Sequence, residues 1–289
     1  MASLSPIGIF DSGVGGLSVL RHIQAYLPQE NLIYLADQVH VPYGRRSRNE
    51  IQAFSAGVAR FLDRQDVKLI VVACNTASAA ALTYLRETIP DMPFVGMEPA
   101  VKPAAQQTRN GKVGVLATEG TFESPRYASL MTRFAQDVKV FEDPCIGLVP
   151  LIEEGQFDTP QTRALLHTIL APMLAAGIDT LVLGCTHYPF VATTITSVIA
   201  EINSETAASP RLSTGVMIID PAPAVARQTL RVLEKYNLLN PTSHTGSINL
   251  FTTGDAVQLQ TMSQTLLQRD FVVATAVWQQ NNLIPFSDF

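Results

Sequence analysis

The sequence predicts an α/β fold of two pseudo-symmetric, doubly wound domains with mainly parallel sheets, and three observations lead to that prediction. Short runs rich in β-branched residues alternate with helical stretches along the chain. Several runs, such as 69–73 and 181–183, are continuously apolar, which is typical of strands buried on both faces. A repeated pattern also relates the two halves. Alternation of this kind predicts parallel sheets with helices on both faces.

The predicted strands are short apolar runs, and the predicted helices fill the stretches between them. In chain order the strands are 7–10, 31–36, 68–73, 94–97, 112–117, 138–141, 180–184, 216–219, 248–252 and 271–274. The helices are 15–27, 48–64, 76–88, 100–108, 125–134, 161–175, 189–199, 222–236 and 256–267. Ser47 with Glu50 three residues later predicts a capping box at the start of the second helix.

An internal repeat predicts two related domains. The segment 7–13 resembles 113–119, and 71–76 resembles 182–187 at a nearly equal offset. A chain of 289 residues is also long enough for about two domains. We expect a discontinuous first domain, 1–98 plus 209–289, and a second domain, 99–208. The segment 203–214, rich in Ser, Thr, Ala and Pro, is the expected linker between them.

Composition and charge exclude several classes of function. The formal net charge is −5 and no basic stripe is visible, so we expect no nucleic-acid partner. No secretory signal and no apolar stretch long enough for a bilayer are present, so we expect a cytoplasmic protein without a membrane partner. Three cysteines without a CxxC pattern predict free thiols and no metal site.

Polar residues follow several of the predicted strands, at the point where each strand ends. Asp11, Cys74, Thr118 and Cys185 all lie at such positions. Ligands of open parallel sheets bind outside the carboxyl ends of the strands. The sequence therefore predicts an active site in the cleft between the two domains, with residues from both.

Cys74 and Cys185 carry the strongest chemical signal. A single buried cysteine is usually a small core residue. These two, however, occupy matching strand ends, and each is followed by polar residues and then by a predicted helix start, where the helix dipole favours a thiolate. We therefore interpret them as reactive, whereas Cys145, which lacks such neighbours, is interpreted as structural.

Other residues near the strand ends allow two interpretations each. Asp11 opens a glycine-rich turn, where it could cap the following helix or bind a ligand; the turn fits neither the dinucleotide nor the P-loop pattern. His187 could be a packed histidine or a proton relay for Cys185. The loop 41–46 could be a solvated turn or a lid whose N–H groups and Tyr43 hydroxyl meet an anion. Glu153 reads most simply as a surface helix residue.

Two thiols from two related halves predict proton transfer on opposite faces of one substrate carbon. One thiolate would remove a proton while the other thiol donates one, without a metal or cofactor. Neighbouring Asp or His side chains would set the protonation state of each sulfur. That reaction is a racemisation.

The sequence resembles the glutamate racemases, a branch of the cofactor-independent Asp/Glu racemase superfamily. The resemblance covers residues 7–190 and is weaker as far as 222. It rests on the ordered segments IGIFDSGVGGLSVL (7–20), YLADQVHVPYG (34–44), VVACNTASA (71–79), VGMEPAVKPA (95–104), VGVLATEGT (113–121), PLIEEG (150–155) and LVLGCTHYPF (181–190).

The resemblance implies a role for each matching residue. Cys74 would act on D-glutamate with help from Asp11, and Cys185 on L-glutamate with help from His187. Glu153 would be a further acidic residue of the site. The residues implied in substrate binding are Ser12, Pro42, Tyr43, Gly44, Asn75, Thr76, Thr118, Thr121 and Thr186.

The resemblance also implies the setting of the reaction. Members of the family use no cofactor, usually form homodimers, and make D-glutamate for peptidoglycan, and thereby for cell-wall biogenesis and cell shape. The nearest alternative is an aspartate racemase, against which Ser78 and His187 favour glutamate. A non-catalytic binding protein using the same cleft, or an inhibitor of a DNA-topology enzyme, is the alternative from another class. A binding protein would not need both thiols, and the weak net charge gives no support to nucleic-acid mimicry.

Overall fold

The structure is a computed structural model that describes residues 4–205, 215–241 and 243–285. The chain folds into two compact units. The first comprises Met1–Met97 and Ala222–Phe289, and the second comprises Glu98–Pro221. Among the described residues, no helix is long and apolar enough to cross a bilayer.

The first unit is built on a seven-stranded sheet, counted over the described residues, with the order β11-β10-β9-β2-β1-β3-β4. Its strands are β1 (Ile7–Asp11), β2 (Leu32–Ala36), β3 (Leu69–Val72), β4 (Phe94–Gly96), β9 (Ile248–Thr252), β10 (Val273–Gln279) and β11 (Asn282–Pro285). Its helices are α1 (Leu17–Tyr26), α2 (Arg48–Asp63), α3 (Asn75–Thr88), α10 (Ala222–Lys235) and α11 (Ala256–Leu267).

The second unit is built on a four-stranded sheet, in the part of the chain described, with the order β6-β5-β7-β8. Its strands are β5 (Lys112–Leu116), β6 (Lys139–Asp143), β7 (Thr180–Leu183) and β8 (Met217–Ile219). Its helices are α4 (Val101–Gln107), α5 (Glu119–Phe122), α6 (Pro125–Phe134), α7 (Leu148–Glu153), α8 (Pro160–Ala175) and α9 (Ala192–Glu205).

Parallel pairing dominates both sheets, which confirms the predicted fold class. In the first unit β1 pairs in parallel with β2 and β3, and in the second unit β5 pairs in parallel with β6 and β7. The central strands β1 and β3 are buried along their whole length because helices cover both faces. β11 is the exception: it pairs antiparallel with β10, and the sequence analysis did not identify it.

The internal repeat corresponds to a repeated strand order. β2-β1-β3-β4 in the first unit matches β6-β5-β7-β8 in the second. The repeated sequence segments fall on β1 and β5, and on β3 and β7, which are the equivalent strands of the two sheets. Cys74 and Cys185 therefore follow equivalent strands.

The return of the chain to the first unit differs from the sequence prediction. The expected boundary at 208/209 would place the strand 216–219 in the first domain, whereas β8 pairs in parallel with β7 and belongs to the second unit. The chain returns at Ala222 because these hydrogen bonds hold β8 in the second sheet. The first crossing, expected at 98/99, lies between Met97 and Glu98. Of the expected linker 203–214, residues 203–205 end α9, and the remainder lies outside the described residues.

Most predicted elements lie within a few residues of their observed bounds, but two short helices are absent from the prediction. α5 and α7 have four and six residues, too few to show a helical period. The predicted helix 189–199 is also different. It begins with a 3-10 turn, Tyr188–Val191, and becomes an α-helix at Ala192.

A buried ion pair anchors the returning segment in the first unit. The Lys68 ammonium lies 2.6 Å from Glu30 Oε2 and donates to Asn240 Oδ1 at 2.7 Å, and both charged side chains are fully buried. The Asn240 N–H donates in turn to Glu30 Oε1. These bonds connect the start of β3 to the chain beyond α10, and burial lowers the pKa of Lys68.

Candidate active site

Cys74 forms the N-cap of α3. Its Sγ accepts a hydrogen bond from the Ala77 N–H at 3.4 Å, and its side chain is 4% exposed. The free N–H groups and the dipole at the start of a helix favour a negatively charged sulfur. The structure therefore places Cys74 where its thiolate is stabilised.

Asp11 and Ser12 lie at the end of the neighbouring strand. β1 pairs with β3, and the Ala73 N–H donates to the Phe10 carbonyl, so the two strand ends lie side by side. The Cys74 thiol lies within hydrogen-bonding distance of Ser12 Oγ, at 3.9 Å. The side chains of Asp11 and Ser12 are both buried.

Asp11 also stabilises the glycine-rich turn that follows it, which is one of its two sequence interpretations. Its Oδ2 accepts a hydrogen bond from the Gly16 N–H at 2.8 Å. A Cβ on Gly16 would lie 2.7 Å from the Asp11 Cβ and 2.9 Å from the Tyr34 ring, so glycine is required for this close approach. The carboxylate is thus held in a fixed position beside the end of β3.

Asn75 and Thr76 occupy the first turn of α3, beside Cys74, and both are buried. The Asn75 side-chain amide, 3% exposed, has no hydrogen-bond partner among the described residues. A buried amide without partners is costly in free energy unless a ligand or water satisfies it. Asn75 is therefore well suited to bind a polar ligand.

The loop that contains Pro42, Tyr43 and Gly44 forms a 3-10 turn, Tyr43–Arg45, whose preceding Val41–Pro42 peptide bond is cis. The first N–H groups of such a turn have no partner within it, which leaves them able to bind an anion. The part of the lid interpretation that assigns the Tyr43 hydroxyl to an anion is wrong, however. It donates to Asp37 Oδ2 at 2.6 Å and so cannot donate to an anionic ligand. Burial, together with the Asp37 carboxylate, raises the pKa of Tyr43 well above its usual value.

Cys185 lies in a chain of three buried side chains in the second unit. Its Sγ is 3.6 Å from His187 Nδ1, and His187 Nε2 is 2.6 Å from Glu153 Oε1. Glu153 ends α7 and is 7% exposed, so it is not the surface residue that its sequence context suggested. The three groups form a continuous path for a proton.

Hydrogen bonding decides the charge of His187. Burial alone would lower the pKa of His187, but the hydrogen bonds with Cys185 and Glu153 and the negative charges of these partners raise it well above its usual value. A protonated imidazole beside Cys185 stabilises the thiolate of that residue.

Three threonine side chains are the remaining predicted site residues of the second unit. Thr118 is the N-cap of α5, and its Oγ1 lies 3.0 Å from Thr121 Oγ1. Thr121 and Thr186 are buried, and Thr118 is partly exposed. All three follow β5 or β7, as the sequence analysis predicted.

The two thiols have different surroundings, which the sequence analysis did not predict. Cys74 caps an α-helix, whereas Cys185 precedes a 3-10 turn, and the α-helix begins only at Ala192. The helix dipole therefore acts on Cys74, while the side chains of His187 and Glu153 act on Cys185.

Cys145 follows β6 and is buried, with its N–H bonded to Asp143 Oδ1 at 2.7 Å and its Sγ 3.6 Å from the Asp143 carbonyl. Burial, and then the Asp143 charge, raises the pKa of the Cys145 thiol well above its usual value. Such a thiol stays protonated, and this agrees with the structural interpretation.

Asp37 is the main residue that the sequence analysis missed. It follows β2 directly, much as Asp11 ends β1, and this position was the available signal. Its carboxylate is fully buried and binds side chains from distant parts of the first unit. Ser78, which favours glutamate over aspartate in the family resemblance, has a structural role: its Oγ donates to the Val72 carbonyl and accepts from the Met97 N–H.

Comparison with protein families and curated sequences finds extensive similarity. The family model described as Asp/Glu/Hydantoin racemase matches residues 7–229. A glutamate racemase of Pseudomonas aeruginosa strain PAO1 is 54% identical over 233 residues, which are 81% of this chain and 83% of the relative.

Solved structures give the same result. The crystal structure of glutamate racemase from Francisella tularensis subsp. tularensis SCHU S4 in complex with D-glutamate matches with a TM-score of 0.78 and 30% identity, covering 96% of this chain and 98% of that one. The Escherichia coli glutamate racemase in complex with L-glutamate and the activator UDP-MurNAc-Ala matches with a TM-score of 0.78 and 33% identity, covering 98% and 100%.

Proposed function

This chain belongs to the Asp/Glu/Hydantoin racemase family, and on that premise we propose that it interconverts L-glutamate and D-glutamate by cofactor-independent proton transfer between two thiols and the α-carbon. Relatives named as glutamate racemases support glutamate as the substrate. The complexes of two structural relatives, one with D-glutamate and one with L-glutamate, support action on both enantiomers.

The observation that carries the two-thiol mechanism is the placement of Cys74 and Cys185. Each is buried, and each follows the equivalent strand of a repeated fold, β3 or β7. Inversion at a carbon requires proton removal on one face and proton delivery on the other. Two equivalent thiols, one from each unit, match that requirement.

In the direction from L- to D-glutamate, the Cys185 thiolate removes the α-proton and becomes a thiol. The electron pair of the broken C–H bond remains on the substrate as a carbanion adjacent to the carboxylate. The Cys74 thiol then delivers its proton to the opposite face and becomes a thiolate. The reverse direction begins from that state, with Cys74 as the base.

The surroundings of each sulfur support its change of charge. His187, with its raised pKa and its bond to Glu153, stabilises the Cys185 thiolate before proton removal. The N-terminus of α3, and Asp11 at the adjacent strand end, adjust the protonation of Cys74. These assignments make Cys74, Cys185, Asp11, His187 and Glu153 the proposed catalytic group.

Polar groups around the thiols would hold the substrate. The unpartnered Asn75 amide is the strongest candidate, since a carboxylate and an ammonium group satisfy both ends of an amide. The N–H groups of Tyr43 and Gly44 and the N-terminus of α3 suit a carboxylate. The remaining proposed contacts are Ser12, Pro42, Thr76, Thr118, Thr121 and Thr186.

The experiment that tests the proposal measures racemisation and isotope exchange together. Purified, metal-chelated protein without added pyridoxal phosphate would be incubated in D₂O with L-glutamate and, separately, with L-aspartate. We expect optical rotation to fall and deuterium to enter the α-position of glutamate, with little change in aspartate. Exchange into aspartate alone would transfer the assignment to the aspartate racemases, and exchange into neither would contradict a racemase.

The wider setting follows from the proposed product. D-glutamate made by this chain would supply peptidoglycan synthesis, and thereby cell-wall biogenesis and cell shape, in the cytoplasm. We further propose that the protein works as a homodimer, as the resemblance implies. Size-exclusion chromatography with light scattering at several protein concentrations would test the dimer.

A further inference from the structure

The Asp37 carboxylate connects distant segments of the first unit. Its Oδ2 accepts from the Tyr43 hydroxyl at 2.6 Å and lies 2.9 Å from His40 Nδ1. Its Oδ1 accepts from Trp278 Nε1 at 2.8 Å and from Thr253 Oγ1 at 3.0 Å. The side chain is fully buried, and a buried carboxylate depends on such donors for its stability.

Trp278 is the single tryptophan of the chain and belongs to β10, in the antiparallel β10–β11 pair. Its ring packs edge-on against His40 and Phe54, while His40 stacks on Phe54 with ring centroids 3.8 Å apart. A Cβ on Gly57 would lie 2.4 Å from the indole ring, so α2 approaches the ring closely. The indole N–H is thus directed at Asp37 by packing on several sides.

The same carboxylate reaches the proposed substrate-binding turn. Tyr43 begins that turn, and Tyr43 and Cys74 belong to one cluster of buried side chains, against which Trp278 packs. The Asp37 N–H also donates to the Asp11 carbonyl at 2.9 Å. Asp37 therefore joins the C-terminal strand pair and the turn through its carboxylate, and the strand end that carries Asp11 through its backbone N–H.

We propose that Trp278 and Asp37 are positioning residues for the Cys74 side of the active site. The indole N–H holds the Asp37 carboxylate, which holds the Tyr43 hydroxyl and with it the 3-10 turn Tyr43–Arg45. This proposal rests on the proposed function. The turn N–H groups then lie ready for a substrate carboxylate before substrate arrives, which lowers the entropy cost of binding. Neither residue takes part in proton transfer.

Trp278→Phe tests this arrangement because phenylalanine keeps an aromatic ring against Phe54 and Gly57 but removes the N–H donor. Loss of one hydrogen bond of ordinary net strength corresponds to roughly a three- to tenfold change in an equilibrium, and the carboxylate keeps its contacts with Tyr43, His40 and Thr253. We expect KM for both enantiomers of glutamate to rise by about that factor while kcat changes less than about twofold. Asp37→Asn, which removes the charge, is expected to raise KM further, again with only a small change in kcat.

A second readout does not depend on turnover. Iodoacetamide alkylates exposed thiols, and peptide mass spectrometry measures Cys74 and Cys185 in the same sample. We expect Trp278→Phe to increase the alkylation rate of Cys74 roughly threefold or more, because a displaced turn uncovers that side of the cluster, and to leave Cys185 unchanged. General loosening of the fold would increase both rates and would contradict the proposal.

Tyr127→Phe is the matched control. Its hydroxyl donates to Glu142 Oε1 at 2.7 Å in the second unit, so this variant also loses a bond from an aromatic side chain to a carboxylate. We expect its KM and its Cys74 alkylation rate to equal those of the unmodified chain. An unchanged KM and an unchanged ratio of Cys74 to Cys185 alkylation in Trp278→Phe would overturn the positioning role, whether or not the protein racemises glutamate.

Discussion

The Glu153 carboxylate lies 2.6 Å from His187 Nε2, and both side chains are buried. A charge-assisted hydrogen bond of this kind is stronger than a neutral one. Glu153 therefore determines how readily His187 carries a proton beside Cys185. Neither the short helix α7 nor the bond itself was visible in the sequence.

Glu153→Gln is expected to slow racemisation of L-glutamate about tenfold, because glutamine keeps a hydrogen bond but loses the charge that favours the imidazolium. The rate from D-glutamate should fall less when Cys74, rather than Cys185, is the base. The effect is measured as kcat in each direction at saturating substrate, followed by optical rotation, because the two enantiomers have equal free energies and kcat/KM is therefore the same in both directions. Glu154→Gln is the matched control, since Glu154 is exposed and adjacent in the chain. Equal slowing by the two variants would contradict the relay.

The raised pKa of His187 predicts how stability depends on pH. Below the unfolded-state pKa of about 6.5, the folded and unfolded states both hold the proton, and the stabilisation is fully present. It is lost as pH rises through the folded-state pKa, which lies well above that value. We expect the difference in urea midpoint between the unmodified chain and His187→Asn to be largest near about pH 6 and to shrink as pH rises further. The exposed His167, changed to Asn, serves as control. A difference that grows with pH would contradict the sign.

The three cysteines allow an internally matched test of the two-thiol mechanism. We expect Cys74→Ser and Cys185→Ser each to lose at least about 100-fold in racemisation, because a hydroxyl is a far weaker acid than a thiol. Cys145→Ser is expected to retain the activity, since that thiol is held at the end of β6 and remains protonated. Circular dichroism would verify folding of each variant. A folded Cys74→Ser or Cys185→Ser variant with unchanged rates in both directions would eliminate the mechanism.

Asp11→Asn separates the catalytic role of Asp11 from its role in the turn. Asparagine retains an oxygen for the Gly16 N–H, so the turn is expected to persist. Loss of the charge should slow turnover of D-glutamate about fivefold more than that of L-glutamate. The kcat for each enantiomer at saturating substrate measures the catalytic role, and a thermal melt measures the role in the turn. An equal fall in kcat for both enantiomers would contradict the assignment of Asp11 to the Cys74 side.

The fold was largely predictable because its central strands, β1, β3 and β7, are buried on both faces. The runs at β3 and β7 are continuously apolar, and the repeated pattern marks them as equivalent. The strands at the edges of the sheets were harder to predict. β8 is a three-residue strand, and its pairing with β7 rather than with the first sheet depends on contacts that no local pattern contains.

The candidate site was predictable where chemistry lies next to strand ends, as at Cys74 and His187. It was not predictable where it depends on distant partners. Trp278 is separated from Asp37 by 241 positions, and the Tyr43 hydroxyl could be assigned to Asp37 only from the folded structure. The different settings of the two thiols likewise depend on where each helix begins, which sequence patterns locate only to within a few residues.

The discontinuity of the first unit has a consequence for synthesis on the ribosome. β2 pairs with β1 on one side and with β9 on the other, yet β9 is made only after the whole second unit. At roughly 5–20 residues per second, the growing chain spends on the order of ten seconds with β1–β4 complete and the outer edge of β2 open. An open parallel edge invites pairing with other chains, so this interval is where aggregation competes with folding. Translation speed through residues 98–221 therefore affects the yield of folded protein.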